Sequence, residues 1–225
     1  MAAPTPDTWR GLLPAALRIV ESLRDNGYGP LDMRMGGGTV LMFRFGHRVS
    51  KDIDLFIHDA QALAYLSPRL NEAAGHGVLE YQEQANAIKF LLPLGDVDFI
   101  VAGSATRLPP AETLEFEGWR IPLDATAEIL AKKLLYRAES FKARDVFDMA
   151  VALALDRPAA MEAIRAAAST RPALLRRLRA LVPEPAGLLA QALLTTEAGA
   201  PYVQGMVETV LRAVTDADAA DAGAR

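Results

Sequence analysis

Apolar residues recur at helical spacing near the start of the chain, at Leu13, Ala16, Leu17, Val20 and Leu23, and the run stops at Asn26-Gly27. This predicts a helix over Leu12–Leu23. The period then shortens. Leu31–Met35 reads as a strand running into Gly36-Gly37-Gly38, Thr39–Phe45 as a helix ended by Gly46, and Val49–Ile57 as a strand. Ala60–Ala74 predicts a helix that Pro68 kinks or breaks. Val78–Gln82, Ala87–Leu92 and Val97–Val101 read as strands, with Pro93-Leu94-Gly95-Asp96 as the turn between the last two. Leu114–Phe116 and Trp119–Ile121 flank Glu117-Gly118 as a small hairpin.

From Asp124 onward the pattern is helical. Asp124 or Thr126 can cap a helix running to about Ser140, and a second helix covers Ala143–Leu155. Segments 160–168, 172–181, 185–195 and 201–214 are Ala/Leu-rich helices punctuated by proline. The tail from Thr215, with Asp216, Asp218 and Asp221 among alanines, lacks apolar periodicity, so disorder is expected over 215–225. The expected architecture is α+β: a mixed sheet with helices over 1–123, then a helical bundle over 124–225.

Composition narrows the chemistry. The 225 residues are 51% hydrophobic and 23% charged, which suits a globular protein with a substantial core. The chain has no cysteine, which excludes disulfides, thiol nucleophiles and cysteine-metal sites. No basic segment opens the N-terminus and no stretch approaches about 18 uncharged apolar residues, so neither a secretory signal nor a membrane span is expected, and the cytoplasm is the default location. The net charge of −4 hides a local excess, because residues 132–179 carry 11 Lys/Arg against 5 Asp/Glu. The arginines at 171, 176, 177 and 179 in this segment suit either a nucleic-acid backbone or a solvated helix face.

The candidate chemistry lies between Gly36 and Asp54. A glycine run opening a helix can bind phosphate, because unpaired N–H groups and the helix dipole both favour an anion there. It is equally the composition of a tight turn, and Thr39 can cap the helix or touch a phosphate. Neither Gly-x-x-x-x-Gly-Lys-Ser/Thr nor Gly-x-Gly-x-x-Gly occurs. Asp52 and Asp54 are two apart on a predicted strand, so both point the same way, about 6.6 Å apart along the backbone. At an effective dielectric near 20, like charges 4 Å apart cost on the order of 4 kcal/mol. A protein that keeps both is expected to place a cation between them, and oxygen ligands suit Mg²⁺ or Mn²⁺. Asp98, inside the run Val97–Val101, is expected as the third ligand, with Asp96 in the turn given less weight. Arg48 can grip a phosphate as a fork donor or neutralise Asp52.

The order of glycine pair, short helix, His47-Arg48-Val49-Ser50-Lys51-Asp52-Ile53-Asp54-Leu55-Phe56 and a later strand Asp resembles the nucleotidyltransferase fold shared with polymerase beta. Ala131-Lys132-Lys133-Leu134 and Arg144-Asp145-Val146-Phe147-Asp148-Met149 resemble the Lys-Leu and Arg/Lys-Asp-x-x-Asp-Leu motifs of the AbiEii/AbiGii toxin family, which includes MenT-like toxins. The resemblance spans about 31–155. It implies that Gly37, Gly38 and Thr39 hold a triphosphate, that Asp52 and Asp54 bind metal, and that Lys133 lies near phosphate or the transition-state charge. Of Asp145 and Asp148, at least one carboxylate would be needed for activity. Gly38-Thr39 stands where one branch has Gly-Ser, and the segment between Lys133 and Asp145 is short, so the branch and the nucleotide stay open.

The leading reading is a Mg²⁺-dependent nucleotidyltransferase that moves an NMP unit from an NTP to an acceptor hydroxyl. The resemblance implies a toxin with a cognate antitoxin and, for MenT-like relatives, the 3′ end of tRNA as acceptor. Asp98 would complete the metal site or accept the hydroxyl proton. Two other readings remain. A small-molecule nucleotidyltransferase of the antibiotic-modifying kind would share the first motifs, and a binding or regulatory protein would keep the fold without turnover. The Lys133 and Asp145–Asp148 motifs favour the toxin branch, and the intact Asp52/Asp54 pair disfavours a non-catalytic one. For Lys133, Arg137, Asp145 and Asp148, a purely salt-bridged helical hairpin is the competing role.

Overall fold

A computed structural model of the chain describes residues 4–223. Two compact units divide it: residues up to Met42 with Val49–Gly103 and Pro110–Asp124, and Phe43–Arg48 with Ser104–Pro109 and the residues from Ala125 onward.

The first unit is built on a seven-stranded mixed sheet. Its strands are β1 (Met33–Gly36), β2 (Ile53–Ile57), β3 (Glu80–Gln84), β4 (Ala87–Leu92), β5 (Gly95–Val101), β6 (Glu112–Phe116) and β7 (Trp119–Leu123). Their order across the sheet is β3-β4-β5-β2-β1-β7-β6, with β2 parallel to β5, β1 parallel to β7, and the other neighbours antiparallel. Side chains alternate faces along each strand. Ile53 and Leu55 of β2, Ile88, Phe90 and Leu92 of β4, and Val97 and Phe99 of β5 are buried on one side. Helix α1 (Thr8–Asp25) packs onto β2 and β5 through an apolar stripe that includes Leu12, Leu13, Ala16, Leu17, Val20 and Leu23. Asp54, Lys89, Asp96 and Asp98 fall on the alternate positions.

Several sequence expectations shift here, each for a local reason. α1 runs longer at both ends than Leu12–Leu23 but ends at the expected stop, with Gly27 at φ +80°. Pro68 breaks rather than kinks the 60–74 segment. Ser67 before it is extended, as a residue preceding proline must be, so α3 is only Ala62–Leu66. The strand expected at Val78–Gln82 forms two residues later as β3, an edge strand whose residues are all exposed. The β6–β7 hairpin turns on Glu117 (φ +46°) and Gly118 (φ +84°), the left-handed pair a two-residue loop requires.

The second unit is helical: α4 (Thr126–Arg137), α5 (Ala143–Leu155), α6 (Arg157–Ala166), α7 (Arg171–Leu181), α8 (Ala186–Gln191) and α9 (Met206–Gly223). α5 packs on α6 and α9, α4 on α6, and α7 on α9. α4 begins at Thr126, with Ala125 at the N-cap position and no capping bond from that residue's side chain. The two short segments join this unit through hydrogen bonds. The buried Glu128 carboxylate of α4 accepts N–H bonds from Ala105 (2.8 Å) and Thr106 (2.7 Å), and Thr196 donates to the carbonyls of Gly46 and His47.

The tail contradicts the expectation of disorder over 215–225 as far as it is described. α9 continues to Gly223, while Ala224 and Arg225 lie outside the described residues. Arg171 anchors this end of the helix, alongside the buried Val214 and Ala217. Its side chain is 2% exposed, and its guanidinium meets Asp221 at 2.5 Å and Asp218 at 3.7 Å, residues three apart on one face of α9. Replacing both Asp218 and Asp221 by Asn should therefore leave a buried cation without its counter-ions. We expect a loss of roughly 1–3 kcal/mol in urea unfolding, with earlier proteolysis after residue 206. An unchanged unfolding midpoint would contradict this anchoring.

Candidate active site

In the first unit the glycine run and the acidic strand meet. α2 (Gly37–Phe45) starts two residues before the expected Thr39, directly from β1. Gly37 has φ +66°, and a β-carbon there would collide with the Asp54 carboxylate, so both backbone conformation and space demand glycine. Gly38 and Thr39 are buried in the first turn. The Thr39 hydroxyl donates to the Asp52 carbonyl oxygen, so Thr39 ties the helix to the acidic segment rather than capping it.

Asp52 lies just before β2, not within it. Its carboxylate accepts the backbone N–H of Asp96 at 3.3 Å. Parallel pairing sets Asp54 opposite Asp98, one strand spacing away. Antiparallel pairing sets Lys89 opposite Asp98 on the other side. The Lys89 ammonium donates to Asp98 Oδ2 at 2.7 Å and to Asp96 Oδ2 at 3.1 Å. Burial pushes the Asp98 carboxyl up to about 6, and the charges of Asp54 and Asp52 add to this against the opposing pull of Lys89. Burial also raises Asp52, reinforced by Asp96 and Asp54 and opposed by the Asp96 N–H and Lys51. These carboxylates are short of positive charge.

Whether a divalent ion suits them follows from that shortage. Among the described residues no group of three His, Cys, Asp or Glu side chains stands in a ready-made ligand arrangement. The donors are nevertheless all hard carboxylate oxygens, and their mutual repulsion is what a hard cation relieves. In donor chemistry, the carboxylates of Asp52, Asp54 and Asp98 suit Mg²⁺ or Mn²⁺.

In the second unit a separate cluster gathers Arg48, Lys133, Asp145 and Asp148 with a residue given no role above, His47. Asp148 is fully buried. It accepts a fork from Arg48, at 2.6 Å from Nε and 2.8 Å from Nη2, and a bond from His47 Nε2 at 2.7 Å. The Lys133 ammonium stands 2.6 Å from Asp145 and 3.0 Å from Asp148, with Arg137 3.6 Å from Asp145. Burial would raise the Asp148 carboxyl, but the charges of Arg48 and Lys133 and the bonds from Arg48 and His47 hold it well below the usual range. Asp145 is lowered in the same way, with Lys133 and Arg137 outweighing its burial. Arg48 thus grips Asp148, a partner the sequence did not suggest beside phosphate or Asp52. The ion-paired role set out for Lys133, Asp145 and Asp148 is present in this structure, whatever further role they have.

A family model for the AbiEii nucleotidyl transferase toxin of type IV toxin–antitoxin systems matches residues 23–224. The chain belongs to this family. It is a nucleotidyltransferase of the AbiEii kind. Among solved structures, it is similar to MenT4, a nucleotidyltransferase toxin from Mycobacterium tuberculosis, at 20% identity with a TM-score of 0.46, over 91% of this chain and 83% of that one. The antibiotic-resistance factor ANT(2'')-Ia is similar at 18% identity and TM-score 0.47, over 76% and 98% of the two chains. An antigenic nucleotidyltransferase-like protein from Paracoccidioides brasiliensis is similar at 18% identity and TM-score 0.41, over 82% and 94%. No curated protein matches. No helix among the described residues is long and apolar enough to cross a membrane.

Of Lys89 and His47, the two cluster residues without an assigned role, only Lys89 carried a readable signal. β4 and β5 join through only Pro93-Leu94, with Leu92 opposite Gly95. Counting back across a two-residue loop puts Lys89 against Asp98, whereas a four-residue turn hides that pair. His47 carried no comparable signal, because its partner Asp148 is 101 residues away.

For this AbiEii-family chain, Asp148→Asn should cost about 3–5 kcal/mol in denaturant unfolding, since it strands Arg48 and Lys133 in a buried site. The pH dependence has a definite sign. Asp145 and Asp148 are depressed when folded, so their contribution is present above the unfolded value of about 3.9 and is lost as pH falls through the lower folded values. Unfolding free energy measured from pH 6 to pH 2 should therefore fall steeply below about 4 in the native protein, and less steeply in Asp148→Asn. Equal slopes in the two proteins would contradict the pairing.

Proposed function

We propose that this family member transfers an NMP unit from an NTP to an acceptor hydroxyl with Mg²⁺, and that it acts in the cytoplasm as a toxin restrained by a cognate antitoxin. The acceptor is the 3′ end of tRNA, as the MenT-like resemblance implies. The observation that carries this reading is the carboxylate set of Asp52, Asp54 and Asp98, with Asp54 against Gly37 and opposite Asp98, in a chain matched by the family over residues 23–224.

The acceptor oxygen forms a bond to the α-phosphorus, the bond from that phosphorus to the bridging oxygen breaks, and pyrophosphate leaves with the electron pair. Asp52, Asp54 and Asp98 would hold the metal, which when bound aligns the α-phosphate and offsets its developing charge. Gly37, Gly38 and Thr39 form the turn assigned to the triphosphate. Asp98 either completes that metal set or accepts the hydroxyl proton. Lys133 is assigned to phosphate charge, held in place by Asp145 and Asp148, with Arg48 and His47 fixing Asp148.

Purified protein incubated with Mg²⁺, each labelled NTP in turn and total tRNA should make RNA-bound label with a preferred nucleotide. Asp54→Ala should abolish it while far-UV circular dichroism stays native; transfer at the wild-type rate in that variant would sink the metal assignment. Lys133→Ala should lose activity by orders of magnitude. Lys132→Ala should lose stability instead, because the Lys132 ammonium lies 3.3 Å from Glu128, the residue that secures the 104–106 segment. Equal, small activity losses in both variants would make the Lys133 segment structural.

A further inference from the structure

The acidic strand face contains a cation of the protein's own. Lys89 extends from β4 directly opposite Asp98, and its ammonium bridges Asp98 Oδ2 at 2.7 Å and Asp96 Oδ2 at 3.1 Å. Its side chain is 29% exposed, whereas that of Asp98 is 16% exposed. A long, flexible lysine at that exposure can move its head toward water without disturbing the sheet.

We propose that Lys89 is an exchangeable counter-cation: its ammonium neutralises Asp98 while no metal is bound, and leaves Asp98 when a divalent ion takes that carboxylate. The inference rests on the metal reading of Asp52, Asp54 and Asp98. Two observations carry it beyond that reading. First, an ammonium on Asp98 Oδ2 and a divalent ion on the same carboxylate repel each other, so each weakens the hold of the other. Second, Asp96 provides the displaced ammonium with somewhere to go. It is already within hydrogen-bond reach of Lys89, sits two residues before Asp98 on the same strand face, and lies toward the β4–β5 turn. Asp96 therefore has a role that its weak claim as a ligand did not supply.

The exchange sets metal affinity. A divalent ion must break the Lys89–Asp98 pair before it binds fully, and this lowers affinity while the metal-free face is protected from its own repulsion. Removing the ammonium reverses both effects.

The test uses the full chain and Mn²⁺ alone, with binding followed by calorimetry and by the loss of the free Mn²⁺ resonance signal. Lys89→Met should bind Mn²⁺ about three- to tenfold more tightly than the wild type, and its metal-free form should melt earlier. Lys89→Arg, which keeps the charge, should stay near the wild type. Arg69→Met removes a cation that pairs with Glu83 on β3, and should leave the Mn²⁺ affinity unchanged. Circular dichroism checks folding, and Lys89→Gln replaces Lys89→Met if the latter does not fold. Mn²⁺ affinity in the neutral variant equal to or weaker than wild type overturns the exchange while leaving the metal reading intact. Absence of Mn²⁺ binding in wild type and neutral variant alike overturns the metal reading, and the exchange falls with it.

Discussion

Like charges held in register on neighbouring strands are the constraint around which the first unit is arranged. The β2–β5 pairing puts Asp54 beside Asp98, with Asp52 and Asp96 just ahead of them. Carboxylates at such separations repel by several kcal/mol at an effective dielectric near 20. Their surroundings are shaped to tolerate it. Gly37 leaves room for the Asp54 carboxylate, the Thr39 hydroxyl holds the Asp52 backbone, the Asp96 N–H supports the Asp52 side chain, and Lys89 supplies a charge from β4. The residue that stays most exposed to repulsion, Asp98, opposes folding as pH rises from its ordinary value toward about 6, the sign expected for a raised carboxyl.

The second unit solves the opposite problem. Asp148 is more deeply buried than any of the sheet carboxylates, yet it is held far down because Arg48, Lys133 and His47 converge on it. One unit therefore keeps carboxylates short of positive charge, and the other keeps a carboxylate saturated with it. Underneutralised groups cost stability and persist where function requires them. Saturated groups fix geometry, here the place of the Lys133 ammonium. The contrast divides the motif residues by physical role: Asp52 and Asp98 have carboxyls raised by burial and by neighbouring carboxylates, while Asp145 and Asp148 hold the Lys133 ammonium.

What the sequence made legible was local. The bounds of β4 at Ala87 and Leu92 and of α5 at Ala143 and Leu155 depend on residues within a turn or two, and those read correctly, whereas β2 begins only at Ile53 and leaves Asp52 outside it. The Arg48–Asp148 fork spans 100 residues and the Arg171–Asp221 pair spans 50, and no period connects such partners. The end of α9 is hidden from the sequence for this reason, since its alanines favour a helix but show no apolar stripe, and the Arg171 pairs hold it alongside the buried Val214 and Ala217. Thr39 does not cap α2 because the helix starts two residues earlier, at Gly37, which puts Thr39 inside the first turn. Lys89 was the recoverable case, since the register of the β4–β5 hairpin follows from its loop length.

The central claim is that the sheet carboxylates are arranged for a divalent cation. Thermal unfolding of the wild type and of Asp54→Asn across a Mg²⁺ titration tests it without reference to any acceptor. The account predicts that the wild-type midpoint climbs with Mg²⁺, reaching about 2.7 kcal/mol of added stability at a hundredfold excess over the dissociation constant. The Asp54→Asn midpoint should stay flat over the same range. A wild-type midpoint indifferent to Mg²⁺, or an equal rise in both proteins, would contradict it.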